Sequence, residues 1–149
     1  ILSGAAAGID GAAHRAAFEL GLQTSAVLAC GIDIRYPACH ADLIDRIAES
    51  GGLLTELLPG TPPRRGFFPT RNRLLAALAD AVLVVQAAEG SGSLITAAWA
   101  HKLARPVYAL VPPDDTPAWQ GNRLLLAAGG RPVREPADLA ALFRECQVA

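Results

Sequence analysis

The 149 residues suffice for one domain with a real core and are too few for two comfortable ones, so residues 1–149 read as a single domain. Apolar residues make up 52% of the chain, with few aromatics and much Ala, Leu and Gly, a mixture suited to helices packed closely on a sheet. The formal net charge of −1 excludes a global basic field, so a nucleic-acid partner would have to be met by a local patch.

The chain contains no methionine and opens Ile1-Leu2-Ser3-Gly4, which reads as the tail of a strand entering a turn; it is expected to be a fragment whose upstream part is missing. A Gly-rich turn from Ser3 to Asp10 leads into a helix over about Gly11 to Leu20, with Ala12, Ala13, Ala16, Ala17 and Leu20 as its apolar face and Gly21 as its stop. Thr24 to Cys30 reads as a buried strand broken by Gly31. A loop with Tyr36-Pro37 and an amphipathic helix over Ala41 to Ser50 follow, carrying Leu43, Ile44 and Ile47. Leu53 to Glu56 is a short strand ending in Pro59-Gly60-Thr61-Pro62-Pro63. The basic stretch Arg64 to Arg73 then runs into a helix through Leu74, Leu75 and Leu78.

Ala81 to Gln86 is the clearest strand, and the loop Ala88 to Gly92 opens a helix over about Ser93 to Leu103. Pro106 to Val111 is a further strand; helices over Gln120 to Ala128 and Pro136 to Glu145 flank a weak strand near Pro132-Val133. This alternation implies right-handed crossovers and a doubly wound, mostly parallel α/β sheet of extended Rossmann-like type, lacking its first strand–helix unit.

Three Gly- and Ser-bearing turns sit where strands hand over to helices: Ser3 to Asp10 (with Gly4 and Gly8), Cys30 to Asp33, and Glu89 to Thr96 (with Ser91, Gly92 and Ser93). At the carboxyl edge of a parallel sheet such turns offer backbone amides and a positive helix dipole to an anion. Read singly, each is only a tight turn and cap; three on one edge point to an anion site. The second constellation is Arg64-Arg65-Gly66-Phe67-Phe68-Pro69-Thr70-Arg71-Asn72-Arg73, four arginines and no acid in ten residues. Guanidinium groups bind phosphate and aromatic rings stack on unpaired bases, the pattern of a single-strand binder. The competing reading makes Arg71 or Arg73 a structural ion-pair partner of Asp10 or Asp33, and one or both phenylalanines core.

His14, His40 and His101 are too scattered for a ligand set, and His14 reads as a structural hydrogen-bonding group. Cys30, Cys39 and Cys146 have no CxxC spacing, so neither a metal site nor a disulfide framework is expected, in keeping with a cytoplasmic protein without cofactor. No apolar stretch approaches the ~20 residues of a membrane span.

These motifs resemble those of the DprA/Smf family. Ser3-Gly4 through Gly8-Ile9-Asp10 with His14 is similar to SGxARGID…H, Val27 to Asp33 with Tyr36-Pro37 to VLxxGxDxxYP, and Phe68 to Ala76 to FPxRNRIIA. Ser91 to Ala97 matches SGSLxTA, and Gly121-Asn122-Arg123-Leu124-Leu125 is similar to GTNxLI. The resemblance implies a homodimer that binds single-stranded DNA, protects it during natural transformation and loads a RecA-type recombinase. It further implies a basic pocket built from an upstream glycine-serine-arginine loop, the FPxRNR segment and the SGS turn. Carried over, that points to Phe68, Thr70, Arg71, Asn72, Arg73, Ser91, Gly92 and Ser93, with Ser3, Gly4 and Gly8 on the first turn. The upstream loop would precede Ile1, Ala7 stands where the family often has arginine, Thr70 where it is often basic, and Pro112-Pro113 replaces Pro-Gly.

The rival reading is an enzyme of the same superfamily, a nucleoside-monophosphate phosphoribohydrolase, whose PGGxGTxxE glutamate is needed for catalysis. Here Ile95 and Thr96 fill the corresponding turn, which removes the acid that would stabilise an oxocarbenium-like transition state. A third reading is a domain that binds a nucleotide without turnover.

Overall fold

The structure is a computed structural model and describes residues 1–140; the expected helix over Pro136 to Glu145 therefore lies partly, and Cys146 wholly, outside the described residues. The chain divides into two compact units, Ile1–Leu75 and Ala76–Ala149.

In the first unit a parallel sheet has the order β1-β2-β3, with β1 at Leu2–Ser3, β2 at Ser25–Val27 and β3 at Leu53–Leu54. Leu2 faces Ser25 and Ala26 faces Leu53 in register. Helix α1 (Ile9–Glu19) links β1 to β2, and α2 (Ala41–Ser50) links β2 to β3. The core comprises Ala26, Leu28 and Cys30 against Leu43, Ile44 and Ile47 of α2, the face that the sequence marks as apolar, with Phe18 of α1 packed against it. The buried face of α1 is different from the expected one: Gly11, His14 and Ala17 face inward, while Ala12, Ala16 and Leu20 are exposed. Alanines on every side of this helix leave its apolar stripe undefined, and the larger Phe18 and His14 set its rotation. Gly21 does end the helix, with a positive φ of 65° and Leu22 N–H donating to Ala17 O at 2.8 Å.

Helix α3 (Phe67–Leu78) starts in the first unit and ends in the second. Phe67 to Arg73 of the basic stretch thus already form the first two turns of this helix, which starts earlier than expected, while Arg64 and Arg65 precede it. Pro69 is compatible with that, because first-turn amides have no intrahelical acceptor to lose.

The second unit holds β4 (Val82–Val84), α4 (Gly92–Lys102), β5 (Val107–Leu110), α5 (Gln120–Ala127) and β6 (Arg131–Val133). Its sheet is parallel with order β4-β5-β6. Val82, Val84 and Ala87 pack on Ala97 and Ala100 of α4, where small side chains allow a close helix–sheet approach. The α/β class and parallel pairing agree with expectation. The strands form two three-stranded sheets; β2 to β5 are each shorter than the run that marks them in the sequence, while β6 starts one residue before Pro132-Val133. No helix of the described residues is long and apolar enough to cross a membrane.

Candidate nucleic-acid interface

The first turn leaves β1 at Ser3 and is held from three sides. Asp10, in the first turn of α1, accepts from Gly4 N–H and Ala6 N–H at 3.1 Å each. His40 Nδ1 donates to Ala5 O at 3.0 Å, which defines its tautomer. Arg71 Nη1 donates to Gly4 O at 3.0 Å and to Val27 O. Gly4 is required by this packing: a Cβ there would lie 2.5 Å from the Arg71 guanidinium. Ala5 takes a positive φ of 56° and is wholly buried, whereas Gly8, with φ of 95°, sits exposed before α1.

Arg71 is only 8% exposed. Its Nε donates to Asn72 Oδ1 at 3.1 Å, so the guanidinium is engaged by two backbone carbonyls and an amide oxygen. Burial pulls its pKa below the ordinary arginine value, opposed by the Asp10 carboxylate. Arg73, by contrast, is on the surface and pairs with Glu56, 2.6 and 2.5 Å from its two oxygens. Neither arginine ion-pairs as the structural reading supposed: Asp33 instead accepts from Gly60 N–H at 2.8 Å. Thr70 is exposed and donates to Gly66 O at 3.1 Å.

The two phenylalanines part company. Phe67 lines a small cavity with Leu28, Leu57 and Leu74, while the half-buried Phe68 ring lies 5.9 Å from that of the exposed Tyr36, tilted by 57°. Arg64 and Arg65 are exposed, and neither side chain makes an ion pair or hydrogen bond among the described residues. They are the cations of this stretch left available for an external anion, and the sequence alone offers no signal separating them from Arg71 and Arg73.

In the second unit Ser91 caps α4: its Oγ accepts from Ser93 N–H at 3.3 Å and donates to Ser93 Oγ at 3.3 Å. Gly90 precedes it with φ of 78°, and Gly92 is exposed at the first helical position. Asn122 is fully buried at the start of α5. Its amide donates to Val85 O at 3.0 Å and Leu110 O at 2.9 Å, and its Oδ1 accepts from Ala87 N–H at 2.8 Å. It thus ties the carboxyl ends of β4 and β5, as Arg71 ties those of β1 and β2. The neighbouring Gly121 allows the approach, since a Cβ there would stand 2.7 Å from Ala87 O.

His14 is fully buried; Nδ1 lies 2.6 Å from Thr24 Oγ1 and Nε2 has no partner among the described residues. Burial lowers its pKa, with Asp10 opposing. Because the unfolded histidine titrates near ~6.5, the unfolded chain takes up this proton first on acidification. The stabilisation from neutral His14 is present above ~6.5 and is lost as pH falls below it, by up to ~1.4 kcal/mol per unit. Urea unfolding at pH 7.5 and 5.5 is expected to show this loss in the native chain and a shallower one in His14→Gln; equal slopes would count against it. Burial also pushes the Cys30 thiol up, away from thiolate chemistry. Among the described residues no group of three or more His, Cys, Asp or Glu is placed to hold a metal.

Known proteins resemble this chain in sequence and in fold. The family model described as DNA recombination-mediator protein A matches residues 1–144. A Mycobacterium tuberculosis protein named for DNA processing as DprA is 50% identical over 139 residues, 93% of this chain and 36% of that protein. The crystal structure of DNA processing protein A from Streptococcus pneumoniae superposes with a TM-score of 0.90 at 38% identity, covering 95% of this chain and 50% of that one. The DNA processing protein A of Helicobacter pylori, described in terms of its single-stranded DNA binding mode, gives 0.87 at 31% identity, with 97% and 66% covered. The chain spans about a third of the Mycobacterium protein and half of the Streptococcus one.

Proposed function

Because the chain belongs to the DNA recombination-mediator protein A family, we propose that it binds single-stranded DNA through the start of α3 and acts in recombination without turnover. This reading is supported by two exposed arginines without a side-chain partner among the described residues, Arg64 and Arg65, in the same stretch as Phe68, whose ring meets that of Tyr36. Cations track the phosphates and the Phe68 ring stacks on a base. Thr70 and Arg73 border the surface. Arg71 and Asn72 act from beneath it: the buried guanidinium keeps the Ser3–Gly8 turn in place, with Gly4 at the contact. In the second unit Ser91, Gly92 and Ser93 present the positive end of α4 to a phosphate. In this reading it works as a cytoplasmic homodimer and hands the strand to a RecA-type recombinase. Free base is not released from nucleoside monophosphates, since α4 carries no carboxylate.

Titration of the full-length protein with oligo-dT over a range of salt tests the reading. Arg64→Ala and Arg65→Ala are each expected to reduce the salt slope by roughly 0.7, with an unchanged melting temperature. A double variant that keeps the native slope would sink it, as would a native protein that does not bind.

A further inference from the structure

Along α4 runs a groove of about 520 Å³, of whose lining the reading above uses only Ser91. That is within the ~300–1,000 Å³ of small-ligand sites. Two ridges at helical spacing form it, Ser91-Ile95-Trp99 and Leu94-Ala98-Lys102. One end is the hydroxyl that caps the helix and the other a lysine whose Nζ sits 4.8 Å from the centroid of the Trp99 ring. From Gly90 to Pro113 the chain has no acid, while His101, Lys102 and Arg105 cluster towards the end of the helix.

We propose that this groove is a second contact for the same single-stranded DNA, with a nucleobase stacked on Trp99 and the adjoining phosphate held by Lys102. The site rests on the single-strand reading above. Charge decides between occupants. The groove joins an apolar middle of Leu94, Ile95, Ala98 and Trp99 to a hydroxyl at one end and an ammonium at the other, so its charge favours a ligand that pairs a flat apolar face with an anion. Trp99 packs in part against the core of the second unit and stays partly exposed, and the Lys102 ammonium from the next turn lies over its ring. A base offers far larger contact there, and the flexible lysine stem lets the ammonium move to the phosphate. Stacking on an aromatic is worth ~1–3 kcal/mol per base.

Fluorescence anisotropy of full-length protein with two labelled probes tests this: oligo-dT, and an abasic strand of equal length that keeps the phosphates and lacks bases. Trp99→Leu is expected to weaken oligo-dT binding on the order of tenfold and to leave the abasic strand unaffected, while Trp99→Phe keeps most of the affinity. Lys102→Ala is expected to lower the salt slope by roughly 0.7 on both probes. Native oligo-dT affinity in Trp99→Leu overturns the site, and so does equal loss on both probes, which would mark Trp99 as packing only. If the native protein binds neither probe, the single-strand reading itself fails, and this groove with it.

Discussion

Arg71→Ala is expected to lower the unfolding free energy by about 3 kcal/mol, which for a chain of this size is a fall of about 6–12 °C in melting temperature. The cost comes from what the guanidinium leaves behind. Gly4 O and Val27 O, buried where the first turn leaves the sheet, lose their shared donor, and Asn72 Oδ1 loses another. Relief from burying a charge offsets part of this, and water entering the space offsets more, so the net effect stays below the sum of the three bonds. Arg71→Lys is expected to recover only part, because one ammonium cannot satisfy divergent acceptors as a planar fork does. Below its melting transition Arg71→Ala keeps the native salt slope for oligo-dT, because the lost cation is buried. A slope reduced by roughly 0.7 with native stability would instead make Arg71 a phosphate ligand.

The second large effect is in the other unit. Asn122→Ala is expected to cost about 3–4 kcal/mol, since it strands the Ala87 amide and removes the donor to Val85 O and Leu110 O at once. Asn122→Asp is the sharper comparison. A carboxylate can still accept from Ala87 N–H, but it turns a donor towards carbonyl oxygens into a buried anion facing them. At neutral pH it is expected to be less stable than Asn122→Ala, and to recover as the pH falls and the carboxyl takes up a proton. Calorimetry of both variants at two pH values decides this; an Asn122→Asp protein as stable as the native one would show that water, and not the side chain, supports these strand ends.

Much of the fold is legible in the sequence. Helix α2 has the bounds and buried face that its Leu43, Ile44, Ile47 spacing indicates, because three branched apolar residues among charged ones leave one way to turn it. Gly21 as the stop of α1 is equally plain, since a helix stop is local chemistry, whereas the sequence leaves the cap of α4 open between Ser91 and Ser93 and the fold uses Ser91. Helix α1 shows the opposite case: alanine is apolar at every angle, so its stripe could not be read, and the residue that seals it inward is a histidine.

By itself, then, the order of residues determined the alternation of strands and helices, the Gly-rich turns and the family, and from that alternation the parallel pairing, which joins residues as far apart as Leu2 and Ser25. What tertiary structure decided is which of the four arginines between Arg64 and Arg73 are available. Arg71 meets carbonyls 67 and 44 positions away and Arg73 meets Glu56, 17 positions away, while Arg64 and Arg65 meet no partner among the described residues. A charge is neutralised or left free by what folds against it, and four identical side chains in one stretch carry no local mark of that difference.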